Sequence, residues 1–358
     1  MNKLFYSLGL MSGTSGDGVD ASIISSNGIN RHEVVLNKYF EYDEEIRESI
    51  HKVRENINNS KDFHNLQDKI AKLEKIITLF HVNVVNSFSQ KNIDFVGFHG
   101  QTIYHNAKES VSKQLGDGKL LSQRTKKTVF YNFRENDLKN GGHGAPLTPI
   151  FHKLLVEEKN INLPVAILNI GGIANLTLIT DQKNISSSDI GPGNCLIDKW
   201  VRMNSKEKYD KNGELAKLGK IDKIILDKAL ENFFNNDLSK NRSYDIKDFD
   251  LSFVQGLSFE DGAATLTDFT SRILSEKILN KITFLCGGGR KNKFLVQSIK
   301  KKIKGEIKLI DDIGIDGDFV ESQAFAYLAI RSYLKLPISF PETTGVNIAC
   351  TGGVIAEY

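Results

Sequence analysis

The sequence predicts an α/β protein, a duplicated two-domain fold with a cleft between its halves. Three observations predict it. β-rich runs alternate with helical patterns along all 358 residues. The plan of strand, glycine turn, strand that opens the chain at residues 4–25 recurs at 165–180. Polar side chains and glycines gather where predicted strands end, as they do around ligand sites of α/β proteins.

Taken in order, residues 4–11 read as a strand, 12–18 as a Gly-rich turn, 19–25 as a second strand, and 32–40 as a third after a turn at Asn27 and Gly28. Together they form an antiparallel meander. Helical spacing follows at 44–55 and at 62–89, where Leu66, Ile70, Leu73, Ile77 and Phe80 recur every three or four residues. Residues 93–98 read as a buried strand ending in His99-Gly100-Gln101-Thr102, and 128–133 as another ahead of the turn 141–144. The second half repeats the plan with strands at 165–170 and 173–180 around Gly171-Gly172, then a turn at 189–194 and helices near 195–203, 221–234 and 258–279. Ser258 three residues before Asp261 marks a helix start. A strand at 282–286, the turn Gly287-Gly288-Gly289, a helix from 292, a strand near 308–310 and a helix from 318 complete the half. The domains are expected at 1–133, completed by 340–358, and at 134–339.

Composition bounds the function. Lys and Arg number 47 against 44 Asp and Glu, a net charge of +3, so no broad basic field points to nucleic acid or to an anionic membrane as partner. Cys195, Cys286 and Cys350 have no spacing suited to a disulfide framework or zinc, which fits a reducing compartment. The N-terminus shows no leader cleavage pattern, and the most apolar stretch, 165–179, is short and broken by Asn169, Gly171, Gly172 and Asn175, so no membrane helix is predicted. The run Lys300, Lys301, Lys302 and Lys304 reads as a solvated helix end.

Candidate chemistry sits in the turns. Gly13, Thr14, Ser15, Gly16, Asp17 and Gly18 offer flexible backbone, two hydroxyls and a carboxylate, a set that cradles phosphates and holds Mg²⁺ through water. A tight hairpin with φ > 0 explains the same residues. Asn169, Gly171, Gly172 and Asn175 form a second such turn, and two in matched positions weigh more than one. Gly287, Gly288 and Gly289 would let a nucleotide base or ribose approach the backbone, or simply join strand to helix. Asp189, ahead of a helix in Asp189-Ile190-Gly191-Pro192-Gly193-Asn194, suits a general base or a helix cap. Glu321 completes a capping box with Asp318, on a helix built to pack closely. Arg134 can grip a carboxylate with two parallel bonds, and His99 with Gln101 and Thr102 can meet sugar hydroxyls. A surface ion pair for Arg134 and a structural role for His99 are the plain alternatives.

Assembled, these segments form an ordered pattern: GLMSGTSGDGVD at 9–20, FHGQT at 98–102, LGDG at 115–118, NFRENDLKNGGHGAPL at 132–147, NIGGIANLT at 169–177, DIGPGN at 189–194, YDKNG at 209–213, ATLTDFT at 264–270, CGGGRKN at 286–292, ESQAFAYLA at 321–329 and TTG at 343–345. The chain resembles the anhydro-N-acetylmuramic acid kinase family, of the superfamily that joins sugar kinases and actin. The resemblance implies the actin-like ATPase fold, ATP and Mg²⁺ as cofactors, and conversion of 1,6-anhydro-N-acetylmuramic acid, ATP and water to N-acetylmuramic acid 6-phosphate and ADP in cell-wall sugar recycling. It also implies a cytoplasmic homodimer acting on an amino sugar. On this sequence the catalytic aspartate is Asp189, residues 13–20 including Val19 and Asp20 are the first phosphate loop, Asp17 the metal contact, 169–175 the second loop and 286–290 the nucleotide-side turn. Arg134 then faces the lactyl carboxylate and Glu321 the sugar. Gly16, Asn132, His143 and Ile190 stand where the family pattern has Leu, Asp, Gln and Thr, which would alter bonding around the substrate or metal, and residues 238–249 match no expected segment. Another sugar or carboxylate kinase of the superfamily, or a silent ATP- or sugar-binding regulator, are the alternatives, and the intact Asp189 argues against the latter.

Overall fold

The computed structural model describes residues 3–88, 92–235, 243–279 and 282–358. They divide into two compact units, one running to Ile161 and resuming over Phe319–Tyr358, the other Asn162–Asp318. The sequence reading divides the chain at 133/134 and 339/340.

The first unit opens with strands β1 (Phe5–Ser12), β2 (Gly18–Ser26) and β3 (His32–Glu41). Helix α1 (Glu44–Glu55) starts where the Asp43 carboxylate accepts the Ile46 N–H at 2.8 Å, one of the amides a helix start leaves unpaired. The long helix expected at 62–89 is two, α2 (Asp62–Asn65) and α3 (Gln67–Asn86), broken at Leu66; residue 89 lies outside the described residues. Then come β4 (Phe95–Asn106), β5 (Val111–Leu115), α4 (Gly118–Thr125), β6 (Thr128–Tyr131), α5 (Glu135–Lys139) and α6 (Pro149–Glu158). The second unit holds β7 (Val165–Ile170), β8 (Ile173–Ile179), β9 (Ile185–Pro192), α7 (Cys195–Asn204), α8 (Glu214–Leu218), α9 (Lys223–Asn235), α10 (Phe259–Lys277), β10 (Ile282–Cys286), α11 (Lys293–Lys300) and β11 (Glu306–Leu309). The chain returns to the first unit with α12 (Val320–Tyr333), α13 (Pro341–Thr344) and β12 (Val354–Ala356).

The two sheets repeat one plan. In the first the order is β12-β6-β4-β1-β2-β3, with β5 paired to β4; in the second it is β11-β10-β7-β8-β9. In each, a three-stranded antiparallel meander, β1-β2-β3 or β7-β8-β9, leads by a parallel pairing to β4 or β10 and on to β6 or β11. The duplication read from the sequence is thus present in five strands of each sheet, with β5 and β12 added to the first. β7 is buried along its whole length and β1 at every residue but Tyr6, and the two carry the central hydrophobic runs. One core, around Leu8, Ile50, Ile77 and Phe98, fills the side of the first sheet under α1 and α3; α12 closes the other with Phe325 and Leu328. In the second unit Leu168, Leu274 and Ile299 pack under α10 and α11.

α12 can lie flat on the first sheet because Gly9 and Gly97 are register partners on β1 and β4. A Cβ on Gly9 would come within 1.9 Å of the Ser322 carbonyl, and one on Gly97 within 2.2 Å of the Phe325 carbonyl. Among the described residues no helix is long and apolar enough to cross a membrane.

Candidate active site

In the first unit the predicted phosphate loop is the β1–β2 hairpin turn. Gly16 takes φ +71, and its N–H donates to the Gly13 carbonyl at 3.2 Å, so glycine is needed here. The loop is tied down by its carbonyls: Gly13 accepts from Gln101 Nε2 at 2.9 Å, Thr14 from Arg54, and Asp17 from the Tyr42 N–H at 2.9 Å and the Tyr39 hydroxyl at 3.0 Å. Spending the carbonyls on the protein leaves an anchored hairpin that still presents Thr14 and Ser15 at the surface. Val19 and Asp20 run on into β2. The Asp17 carboxylate is 42% exposed and 4.0 Å from Arg47. Under the loop, Ser12 Oγ meets the Tyr42 hydroxyl at 2.9 Å and His81 Nε2 at 3.3 Å, a buried polar chain the sequence reading missed. Burial lowers the His81 pKa to about 4, so Nε2 stays an acceptor.

His99, Gln101 and Thr102 do not end a strand as expected. β4 runs on through them to Asn106 because β5 supplies its ladder, Gln101 opposite Leu115 and Thr102 opposite Gln114. His99 is buried; Nδ1 donates to the Gly100 carbonyl at 2.7 Å, and Nε2 accepts from Arg134 at 2.9 Å. Burial first, and the guanidinium next, hold its pKa well below the usual range, so it stays neutral and able to accept. Arg134 also donates to the Gly144 carbonyl at 3.2 Å. Arg134 is thus built into the unit through Gly144 and His99. The Gly141–Gly144 turn is fixed by buried Asp137, whose carboxylate accepts the Gly144 N–H at 2.6 Å, and by the His143 N–H to the Thr344 carbonyl at 2.8 Å. His105 and Gln114, on the hairpin beyond Thr102, are buried polar residues that the sequence reading did not single out.

Glu321 stands half-buried in the first turn of α12. The capping box expected with Asp318 is absent: α12 begins at Val320 with no side-chain cap, and Asp318 instead accepts from Arg290 at 2.6 Å. A guanidinium is the stronger partner for a carboxylate than a single amide.

In the second unit Asp189 was expected in a turn beside a helix. It lies on β9, six residues before α7, because β9 continues as an edge strand to Pro192. Register places Asn169, Asn175 and Asp189 in one row across β7, β8 and β9, with a bulge between Ala174 and Asn175. The amide oxygens of Asn169 and Asn175 are buried without a hydrogen-bond partner in the protein, a costly arrangement that a donor-bearing ligand would relieve. Asp189 Oδ2 accepts the Tyr244 main-chain N–H at 2.9 Å.

The Gly171-Gly172 turn is buttressed by the start of α7: the Gly171 carbonyl accepts from Asn194 N–H at 2.8 Å, and that of Gly172 from Gly193 at 2.9 Å. Gly287, at φ +75, packs so closely that a Cβ would sit 2.2 Å from Asn169 Oδ1, and one on Gly289 would meet Ile170 at the same distance. The second and third glycine turns therefore form one surface, and Gly288 faces open space on it. Arg290, buried, holds that surface by donating to the Gly287 carbonyl at 3.1 Å while engaging Asp311 at 2.7 Å and Asp318. Of the segment 238–249, residues 238–242 lie outside the described residues.

A family model described as anhydro-N-acetylmuramic acid kinase matches residues 5–357. The chain is 52% identical over 373 aligned positions to the anhydro-N-acetylmuramic acid kinase of Pelagibacter ubique (strain HTCC1062), covering 100% of both chains. It is 37% identical to the protein of that name from Zymomonas mobilis subsp. mobilis, covering 97% of this chain and 98% of the other. Among solved structures, (R)-2-hydroxyglutaryl-CoA dehydratase component A of Acidaminococcus fermentans aligns with a TM-score of 0.45 at 12% identity, covering 92% of this chain and 100% of that one.

Proposed function

The chain belongs to the anhydro-N-acetylmuramic acid kinase family, and from that premise we propose how its residues perform the reaction. It is an ATP-dependent kinase that turns 1,6-anhydro-N-acetylmuramic acid and water into N-acetylmuramic acid 6-phosphate, with ADP as the other product, in cell-wall sugar recycling. Asp189 takes a proton from water as that water attacks the anomeric carbon; the bond from that carbon to oxygen 6 breaks, and oxygen 6 then attacks the γ-phosphate. The observation that supports this role is the polar row Asn169, Asn175, Asp189, whose buried amide oxygens have no donor within the protein.

The anchored hairpin 13–18 and the joined surface of Gly171, Gly172 and Gly287–Gly289 are read as the phosphate and nucleotide contacts, with hydroxyls and backbone available and side chains excluded by packing. Among the described residues no three His, Cys, Asp or Glu converge on one point. A single partly exposed carboxylate, Asp17, fits Mg²⁺, which keeps most of its waters and takes the rest of its shell from phosphate. Asp17 would hold it through water, and its charge would offset that spreading over the transferring phosphoryl oxygens. Arg134, steadied by His99 and Gly144, is assigned to the lactyl carboxylate, with Glu321, Gln101 and Thr102 as further sugar-side groups. A cytoplasmic homodimer completes the reading. Edge strand β3, which exposes Val34, Val35, Leu36 and Tyr39, supports association, and light scattering checks it.

The test incubates the protein with ATP, Mg²⁺, the anhydro sugar and ¹⁸O-labelled water, with Asp189→Asn in parallel. Sugar phosphate carrying one label at the anomeric oxygen, lost in the variant, supports the assignment. Undiminished product from Asp189→Asn removes Asp189 as the base.

A further inference from the structure

Asp189 is bonded to a segment that the sequence reading could not assign. The Tyr244 N–H that donates to Asp189 Oδ2 comes from 55 residues further along the chain. That donor is held from behind. Tyr244 is 5% exposed, its ring lies 5.2 Å from that of Phe249, and both belong to the core around Trp200, Phe233, Leu251 and Val254. Just beyond it, Asp245 and Asp248 cap a short 3-10 turn reciprocally: Lys247 N–H donates to Asp245 at 3.0 Å and Asp245 N–H to Asp248 at 2.8 Å. Burial, and then the negative charges of Asp189 and Asp248, push the Tyr244 phenol up to about 12.

We propose that Tyr244 is a positioning residue for the kinase reaction: its main-chain N–H orients the Asp189 carboxylate, and its buried ring fixes that N–H. The proposal rests on Asp189 being the base. A carboxylate's last torsion is broad, so each hydrogen bond that holds one of its oxygens restricts the orientations it samples. A charge-assisted bond to one oxygen narrows that range. Misplacing a reacting group by about 1 Å can cost on the order of 100-fold in rate.

The full-length chain is compared with Tyr244→Ala, Tyr244→Pro, Tyr244→Phe and Asp189→Asn. The readouts are kcat and KM for sugar and ATP, normalised to ATP sites counted by titration. Tyr244→Ala, which removes the anchor, should lower kcat about 10- to 100-fold with both KM values within about threefold. Tyr244→Pro, which removes the donor, should lose at least as much, and Tyr244→Phe, which keeps ring and donor, should recover most of kcat. If Tyr244→Pro binds no ATP, the Ala and Phe pair decides. Wild-type kcat in the Ala variant, a rise in sugar KM at unchanged kcat, or a Phe variant as slow as the Ala variant overturns the proposal. Turnover by Asp189→Asn overturns the base assignment and this proposal with it. A dead Asp189→Asn beside normal Tyr244 variants overturns this proposal alone.

Discussion

The Arg134 guanidinium is steadied by an imidazole that accepts only while neutral, and His99 is kept neutral by burial and by Arg134 itself. Replacing His99 by Phe removes the acceptor and lets the guanidinium drift. Sugar KM should then rise about tenfold, the effect of one hydrogen bond of about 1.4 kcal/mol, with ATP KM unchanged in steady-state kinetics. On the nucleotide side, Gly287→Ala would drive a methyl group into Asn169 Oδ1 and strain a positive φ. ATP KM should rise at least tenfold in the same assay while sugar KM holds. The glycine turns and Asp189 stood out in the sequence because their residue types and short spacings are local, although Asp189 lies on a strand and not in the turn expected for it. The His99 and Arg134 pair was not, since its partners lie 35 residues apart and each has a plain structural reading. Tyr244 had no signature at all, because the group it offers is a main-chain N–H that every residue but proline has.

Elements were legible where one face is buried and the period is clean. The meander at 4–40 and the helix at 44–55 fall where the alternation and the three-to-four spacing put them. Local signals misled the reading three times. The run His99–Thr102 looked like the end of a strand, yet β5 supplies hydrogen-bond partners that carry β4 through it. The Gly-Pro-Gly at 191–193 looked like a turn, yet β9 lies at the sheet edge, where a proline at the last position costs no ladder bond. Asp318 and Glu321 looked like a capping box, and a distant arginine outbid the local amide. What the sequence could not announce is the seat of α12 on paired Gly9 and Gly97, because the pairing is a property of register. Gly97→Val, which would push into the Phe325 carbonyl, should destabilise the protein by about 2–3 kcal/mol in urea unfolding.

At the scale of the whole molecule, His81, His99, His105 and His152 are all buried, and burial lowers the pKa of each, to about 4, well below the usual value, about 3 and about 4 respectively. The unfolded chain takes up protons below about pH 6.5, where these folded-state imidazoles do not. Stability is therefore full above that value and falls as pH drops from 6.5 toward 4. His81 alone should account for about 2 kcal/mol at pH 5. Calorimetric Tm should decline over that interval, and His81→Gln should flatten the decline; a Tm constant from pH 7 to 5 would contradict this account. The division into units has a consequence of another kind. The second unit is one continuous stretch, Asn162–Asp318, whereas the first must wait for Phe319–Tyr358. As the chain leaves the ribosome, the stretch synthesised first stays unfinished while the one made later already has its whole sheet. The helix that fits the glycine pair on β1 and β4 is among the last pieces to emerge, so a truncated product ending at residue 318 would hold a completed second unit joined to a first with one face of its sheet bare. Such a product would expose the apolar surface that Phe325, Leu328 and Ile330 cover in the complete chain.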